Sequence, residues 1–294
     1  MPDAENADAA TDAEAGLRDA DSGLLDAADA RGVDSGDADA TAVEAGDADA
    51  TAVDAADGGA SDANPGGADA SDADSGDADA GVEGGVVAPL LGTAKTFAVL
   101  AGSTITNTGV TTAVFGDVGI SPGTALVGLT AGQVTGTIHL GDAVAMQAEA
   151  DVTTAYNNLA GRPCQHTMTS IDLGGKTLPP GVYCFASSAA QMVGDLTLDG
   201  QGDPNAVWIF QIGSTLTIST NVSTTMINSG SACNVYWQVG SSATINGGAQ
   251  FKGNIVAQAS ISLLTGANVS PGRTWAQTAA VTMQSSAISI AGCP

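Results

Sequence analysis

The sequence predicts a mostly β protein, a solenoid of stacked parallel coils with one long helix along a side, behind a disordered acidic tail. Three observations carry this. Of the 32 acidic residues, 24 fall in residues 1–85, which hold only Arg18 and Arg31 as bases. Beyond residue 90 the chain breaks into short β-branched runs (TITN, VWIFQI, VYWQV, NIVAQ) separated by Gly, Asn, Asp or Pro. Along the last third, one five-residue pattern with apolar second and fourth positions returns four times.

Residues 1–87 read as a low-complexity spacer. Residues 1–85 have a net charge of −22, no aromatic residue, no Ile, and a near-exact decamer repeat, GDADATAVEA at 36–45 and GDADATAVDA at 46–55. Such a segment buries too little apolar surface to offset its ordering entropy and is extended by self-repulsion. The stretch DADSGDADAG at 72–81 has a loose likeness to an Asp-rich calcium loop. Its fifth position is Gly76 and no Glu closes it, so no metal site is expected. Residues 88–294 are read as one domain holding all eleven aromatic residues and all four cysteines, with a net charge near zero that gives nucleic acid no basic surface.

One segment of that domain is helical. In residues 141–163, Val144, Ala148, Val152, Ala155 and Leu159 recur at helical spacing, with Asp142 as N-cap and Gly161 and Pro163 as the stop. Two-residue hairpin turns are sparse elsewhere, so the strands are expected to stack as coils and not to fold back as hairpins. Cys164, Cys184, Cys233 and Cys293 show no metal-ligand spacing and are read as disulfide-bonded, in an oxidising compartment. Three connectivities are open. Cys164 with Cys184, flanking one loop excursion, and Cys233 with Cys293, stapling the final coil, are favoured. No export signal is visible after Met1, so an extracellular or cell-surface location implies a start upstream of this one.

The recurring pattern aligns Thr215–Ser219, Ser242–Asn246, Gln258–Ser262 and Thr278–Thr282 on Ile218, Ile245, Ile261 and Val281, at spacings of 27, 16 and 20 residues. Alternation sends residues 216/218, 243/245, 259/261 and 279/281 to a core. Three outward columns follow: Thr215, Ser242, Gln258, Thr278; Thr217, Thr244, Ser260, Ala280; and Ser219, Asn246, Ser262, Thr282. Thr104 and Thr106, and Thr135, Thr137 and His139, fit the same template, so the solenoid is assembled from sequence-distant parts. The columns carry no charge and form a stiff grid of hydroxyls and methyls, able to order water. Thr and Ser also suit any exposed strand, so pattern alone leaves a purely structural role open.

Several longer blocks extend beyond pattern. LGTAKTFAVLAGSTITNTG (91–109), GDVGISPGTALVGL (116–129), AYNNLAGRP (155–163), LGGKTLPPGVYCF (173–185), GDPNAVWIFQIGSTL (202–216), CNVYWQVGSSATI (233–245) and TGANVSPGRTWAQTAAVTM (265–283) resemble the bacterial and fungal ice-binding proteins. The resemblance runs over residues 88–292. It implies a right-handed, triangular, discontinuous β-solenoid with a flanking helix, no catalysis, no cofactor, and ice adsorbed on one flat face. It places that face at Thr104 or its neighbours, Ser260 and Ala280. A monomer with no small-molecule substrate is expected.

Two other functions compete. A polysaccharide-cleaving solenoid needs clustered carboxylates with nearby bases. The domain's eight acids are Asp117, Asp142, Glu149, Asp151, Asp172, Asp195, Asp199 and Asp203; the best pair, Asp195 and Asp199, has no base near it in sequence, and Asp199 reads as a turn residue. An extracellular adhesin binding glycan needs an exposed aromatic strip. Trp208, Phe210, Tyr236 and Trp237 lie in strands expected to be half core and half outer face of another side, leaving Trp275 as the ring to locate. His139 is expected on the water-ordering face and His166 in a loop.

Overall fold

The β-branched runs become short strands that stack in parallel, each coil adding one strand to each side of a three-sided solenoid. The computed structural model describes residues 85–185 and 188–294; the decamer repeats and the Asp-rich stretch lie outside the described residues. An eleven-stranded sheet contains, in spatial order, Ile138–Leu140, Asp117–Ile120, Phe97–Ala101, Asn268–Ala276, Gln250–Ala257, Val235–Val239, Trp208–Ile212, Gly181–Phe185 and His166–Thr167. A seven-stranded sheet runs Ala190–Met192, Leu216–Ile218, Ala243–Ile245, Ile261–Leu263, Val281–Met283, Thr104–Asn107 and Ala125–Val127. The third side begins with Thr177–Leu178, Leu196–Asp199 and Thr224–Ile227.

The inward side chains fill one core. Tyr183, Phe210, Trp237 and Phe251 stack along its length with centroids 5.2, 4.0 and 4.9 Å apart, the offset and tilted geometry aromatic rings prefer. Gln250–Ala257 turns a corner within its length, its register shifting between Phe251 and Gly253. Gly253 has φ of +104°, and a Cβ there would press on Trp237 Nε1 at 2.8 Å, so the corner needs glycine.

The chain is discontinuous along the stack. Its N-terminal strands join the C-terminal end, Phe97–Ala101 against Asn268–Ala276, Thr104–Asn107 against Val281–Met283, and Ala113–Phe115 against Ala287–Ser289. The helix, Ala143–Ala160, then carries the chain back to the other end. It must cross the eight strand spacings between Ile138–Leu140 and His166–Thr167, about 38 Å. Its 18 residues span about 27 Å, and the short flanking segments cover the rest. Asp142 caps it, its carboxylate accepting from the Ala145 amide at 2.8 Å.

The helix buries Ala145, Ala148, Val152, Ala155 and Leu159 against Phe97, Leu100, Ile209, Tyr236 and Trp275 on the outer surface of the large sheet. Val144, expected in that stripe, is 47% exposed, and Ala145 takes its place. The reason is the i, i+3, i+7 spacing back from Val152, which selects 145 and 148 on the same face. Val86 and Ala88 pack beside this second core. Both favoured disulfides are present, with Cα–Cα distances of 5.9 Å for Cys164–Cys184 and 5.3 Å for Cys233–Cys293.

Glu149 departs from the helix's apolar logic. Its Oε1 is buried without a hydrogen-bond partner among the described residues, and burial pushes its carboxyl up to about 8. The folded chain therefore keeps a proton that the unfolded chain releases near 4.5. Glu149's contribution to stability is expected to fall as pH rises between those two values and to be level outside them. Glu149→Gln should flatten that slope and raise the thermal midpoint at pH 8; melting curves across pH 4 to 9 with an unchanged slope would assign it to another group.

Candidate functional site

The seven-stranded sheet forms the site. Its six pairings are parallel and show no bulge, so outward residues stand in straight files. One file is Gln191, Thr217, Thr244, Ser262, Thr282, Thr106 and Val127. Two residues earlier on each strand, a second file holds Thr215, Ser242, Ser260, Ala280, Thr104 and Ala125. Neighbouring coils lie about 4.8 Å apart and the two files about 6.8 Å apart. Between them point Ala190, Leu216, Ala243, Ile261, Val281, Ile105 and the partly buried Leu126, into the core.

The hydroxyls hold one another in place. Ser260 Oγ donates to Ser242 Oγ at 3.0 Å and Thr282 Oγ1 to Ser262 Oγ at 3.1 Å, each across one coil spacing. Thr244, Ser242, Ser262, Thr282, Thr104 and Thr106 are all half-buried by their neighbours, which leaves a shallow surface of methyls and hydroxyl edges. Stiff β-branched rotamers keep it rigid.

No charged side chain lies in either file. The other two sides differ. The third side carries Lys176, Asp195, Asp199 and Lys252, and the eleven-stranded sheet is covered by the helix and by the segment around Val86–Leu91. Among the described residues the seven-stranded side alone is both open and uncharged along its two files, with nothing in them to titrate. Among the described residues no base or carboxylate stands in these files to activate their hydroxyls; such a surface can hold water in a fixed array.

The structure corrects the register expected from sequence. Ile245 pairs with Leu263, not Ile261, and Leu263 with Met283, so the last two coils move by two residues relative to the first two. Ser260 and Ala280 therefore join Thr215 and Ser242, while Ser262 and Thr282 join Thr217 and Thr244. A shift of two leaves the residues that stay in the strands on their predicted faces, because the side-chain period is two, while Ala259 and Ala279, expected in the core, lie in the corners and are only half-buried. Gln258 and Thr278 fall at the corner, where Thr278 Oγ1 donates to the Gln258 carbonyl at 2.6 Å.

The register was encoded in the corner lengths. Three residues separate the preceding strand from the ladder strand at 213–215, 240–242 and 258–260, and four at 277–280. Gln191 escaped the sequence reading although AQM has the apolar-x-apolar signature, and Ala125 and Val127 escaped it because ALV is apolar throughout and shows no alternation. Thr135 and Thr137 do not belong to this side. They precede Ile138–Leu140 at the edge of the large sheet, where the Thr135 amide donates to Val114 O and the Thr137 amide to Asp117 Oδ1. His139 lies with them, tilted over Phe97 and hydrogen-bonded to Asp142 at 2.7 Å. The residues Thr-x-Thr are the same in both places; the strand pairing decides the face.

The groups the competing functions require are occupied otherwise. Asp199 accepts from the Gln201 amide at 2.9 Å, as turn aspartates do, while Asp195 accepts from the Ser223 amide at 2.7 Å and Asp199 from Asn228 Nδ2 at 2.8 Å, each tying one coil to the next. Trp208, Phe210 and Trp237 fill the solenoid core, while Tyr236 and Trp275 are buried beneath the helix. Among the described residues these rings leave no aromatic strip on the surface.

Comparison with known proteins follows the same blocks of sequence. The Ice-binding-like family matches residues 99–289. The chain is 52% identical over 200 residues to an ice-binding protein of Nostoc sp. (strain HG1), covering 68% of this chain and 73% of that protein. It is 36% identical over 214 residues to an ice-binding protein of Flavobacterium frigoris (strain PS1), covering 68% and 75%. The fold is similar to the crystal structure of an ice-binding protein from an Antarctic biological consortium, with a TM-score of 0.66, 41% identity, and 69% and 91% of the two chains covered. It is also similar to that from the Antarctic ascomycete Antarctomyces psychrotrophicus, with a TM-score of 0.65, 34% identity, and 69% and 98% covered.

Proposed function

From the premise that this chain belongs to the ice-binding-like family, we propose that it adsorbs to ice through the open side of its seven-stranded sheet and so inhibits ice growth and recrystallisation. The observation that carries this is the uninterrupted pair of uncharged files on the seven-stranded side, which the helix leaves open while packing on the large sheet. Methyl groups there enclose water while hydroxyls anchor it, and the backbone fixes the spacing. Water arranged on such a grid is already partly ordered, so little entropy remains to be lost when it merges with a crystal.

The adsorbing residues are Thr215, Thr217, Ser242, Thr244, Ser260, Ser262, Ala280, Thr282, Thr104 and Thr106, extended by Gln191, Ala125 and Val127. Residues 88–294 form the ice-binding domain, and the acidic residues 1–87 serve as a spacer that keeps it soluble or holds it off a surface. The protein works as a monomer, without catalysis or cofactor, outside the cell or at its surface, where disulfides persist. The test is nanolitre osmometry and recrystallisation imaging of the full chain: a freezing-point gap and arrested grain growth at micromolar protein support the reading, and growth indistinguishable from buffer with an equal mass of albumin rejects it.

A further inference from the structure

We infer that Arg273, Thr274 and Trp275 are positioning residues for the ladder, setting the register at which the N-terminal strand bearing Thr104 and Thr106 joins the C-terminal one. The inference rests on the ice-binding reading above and names how that surface is completed. From Leu216 to Met283 each ladder strand follows the last by one coil of chain. At the seam between Val281–Met283 and Thr104–Asn107 no such connection exists. Parallel backbone hydrogen bonds look alike at every register. A slip of one residue would turn Thr104 and Thr106 into the core, and a slip of two would displace their hydroxyls by about 6.8 Å along the strand.

Three consecutive side chains distinguish one register from the next. Arg273 Nε and Nη2 donate to the Lys95 carbonyl at 3.2 and 2.7 Å, Trp275 Nε1 to the Phe97 carbonyl at 3.0 Å, and Thr274 Oγ1 to the Ala98 carbonyl at 3.5 Å. The Lys95 carbonyl belongs to the 3₁₀ turn Gly92–Thr96 and the Phe97 carbonyl to the first strand position, so a shift along the strand would put carbonyls of a different direction opposite these donors. Arg273 is held from behind: its Nη1 donates to Asn254 Oδ1 at 2.9 Å, and Asn254 Nδ2 donates to the Cys233 and Val235 carbonyls at 2.9 and 3.0 Å. The clamp is thus anchored in two earlier coils. Arg273, Thr274 and Trp275 are essentially inaccessible to water, where leaving such donors unpaired is costly. Phe97–Ala101 passes through only Gly102 and Ser103 before Thr104–Asn107, so a register fixed on the large sheet is passed directly to the ladder.

The test uses the full chain carrying Arg273→Gln or, as the milder change, Trp275→Phe, which keeps a buried aromatic ring while removing the N–H donor and part of the indole's volume. Hydrogen exchange is expected to quicken about ten-fold in residues 97–107 while 208–263 keep their protection. Thermal hysteresis should fall about two-fold, because rungs that engage together are lost together. Ala101→Cys with Ala276→Cys, buried partners directly paired across the seam at a separation a disulfide accepts, should restore both. Exchange that quickens equally along the whole solenoid, or quickens at 97–107 with hysteresis unchanged, would overturn the inference. A wild-type chain without hysteresis would defeat the ice reading, and the exchange pattern would still decide whether the triplet sets the seam.

Discussion

Thr244→Tyr is expected to abolish thermal hysteresis while changing unfolding free energy by no more than about 0.5 kcal/mol, the usual range for a surface substitution. Thr244 lies in the middle of its file, directly between Thr217 and Ser262. A phenol ring there stands several ångströms above a surface otherwise made of hydroxyls and methyls, holding the neighbouring rungs away from a flat crystal. Ala280→Tyr, in the other file and next to the seam, should have the same effect. Thr225→Tyr is the matched control, since Thr225 is exposed on the third side, beside the charged residues. Hysteresis and thermal unfolding measured on the three variants should separate cleanly. Full activity in both ladder variants would mean that a different surface meets the ice.

Removing the Cys233–Cys293 disulfide should produce the largest loss of stability. It closes a loop of 60 residues, and loop-closure entropy assigns such a crosslink about 4 kcal/mol. For a domain of this size that lowers the thermal midpoint by roughly 10 °C. The bridge ties the chain end to the segment before Val235–Val239, and between its ends lie Ile261–Leu263, Val281–Met283 and the clamp at 273–275. Cys164–Cys184 closes only 20 residues and should contribute about 3 kcal/mol. Calorimetry of Cys233→Ser with Cys293→Ser against wild type checks the order. Equal midpoints would show that the unfolded chain gains no freedom from losing the bridge.

The helix, the solenoid and the Cys164–Cys184 bridge could be read before the structure because each has a local signature: a capped 3.6-residue period, repeated alternation, and cysteines flanking one excursion; Cys233–Cys293, favoured among three open connectivities, spans several coils and has no such signature. The facing of the ladder residues that lie in strands was equally legible, since alternation is insensitive to a slip of two, but Gln258, Ala259, Thr278 and Ala279 were assigned faces and fall in corners. Register was not, because Ile, Leu, Val and Met fill an inward position about equally well, and the deciding information lay in corner lengths. Thr135 and Thr137 mimic the ladder perfectly in sequence; only the pairing of Ile138–Leu140 with Asp117–Ile120 removes them. Arg273 shows no pattern in sequence; only the pairing of Phe97–Ala101 with Asn268–Ala276 places it at the seam. Glu149, on a regular helix, gives no sign of the buried oxygen that the packing leaves unpaired.

Ice-affinity partition tests the central claim most directly: a polycrystalline ice shell is grown slowly from a solution holding equal amounts of the wild-type chain and its Thr244→Tyr variant. The wild type should be enriched in the ice and the variant left in the liquid. Equal exclusion of both would show that the chain does not bind ice, and equal incorporation would show that the seven-stranded side is not the surface that does.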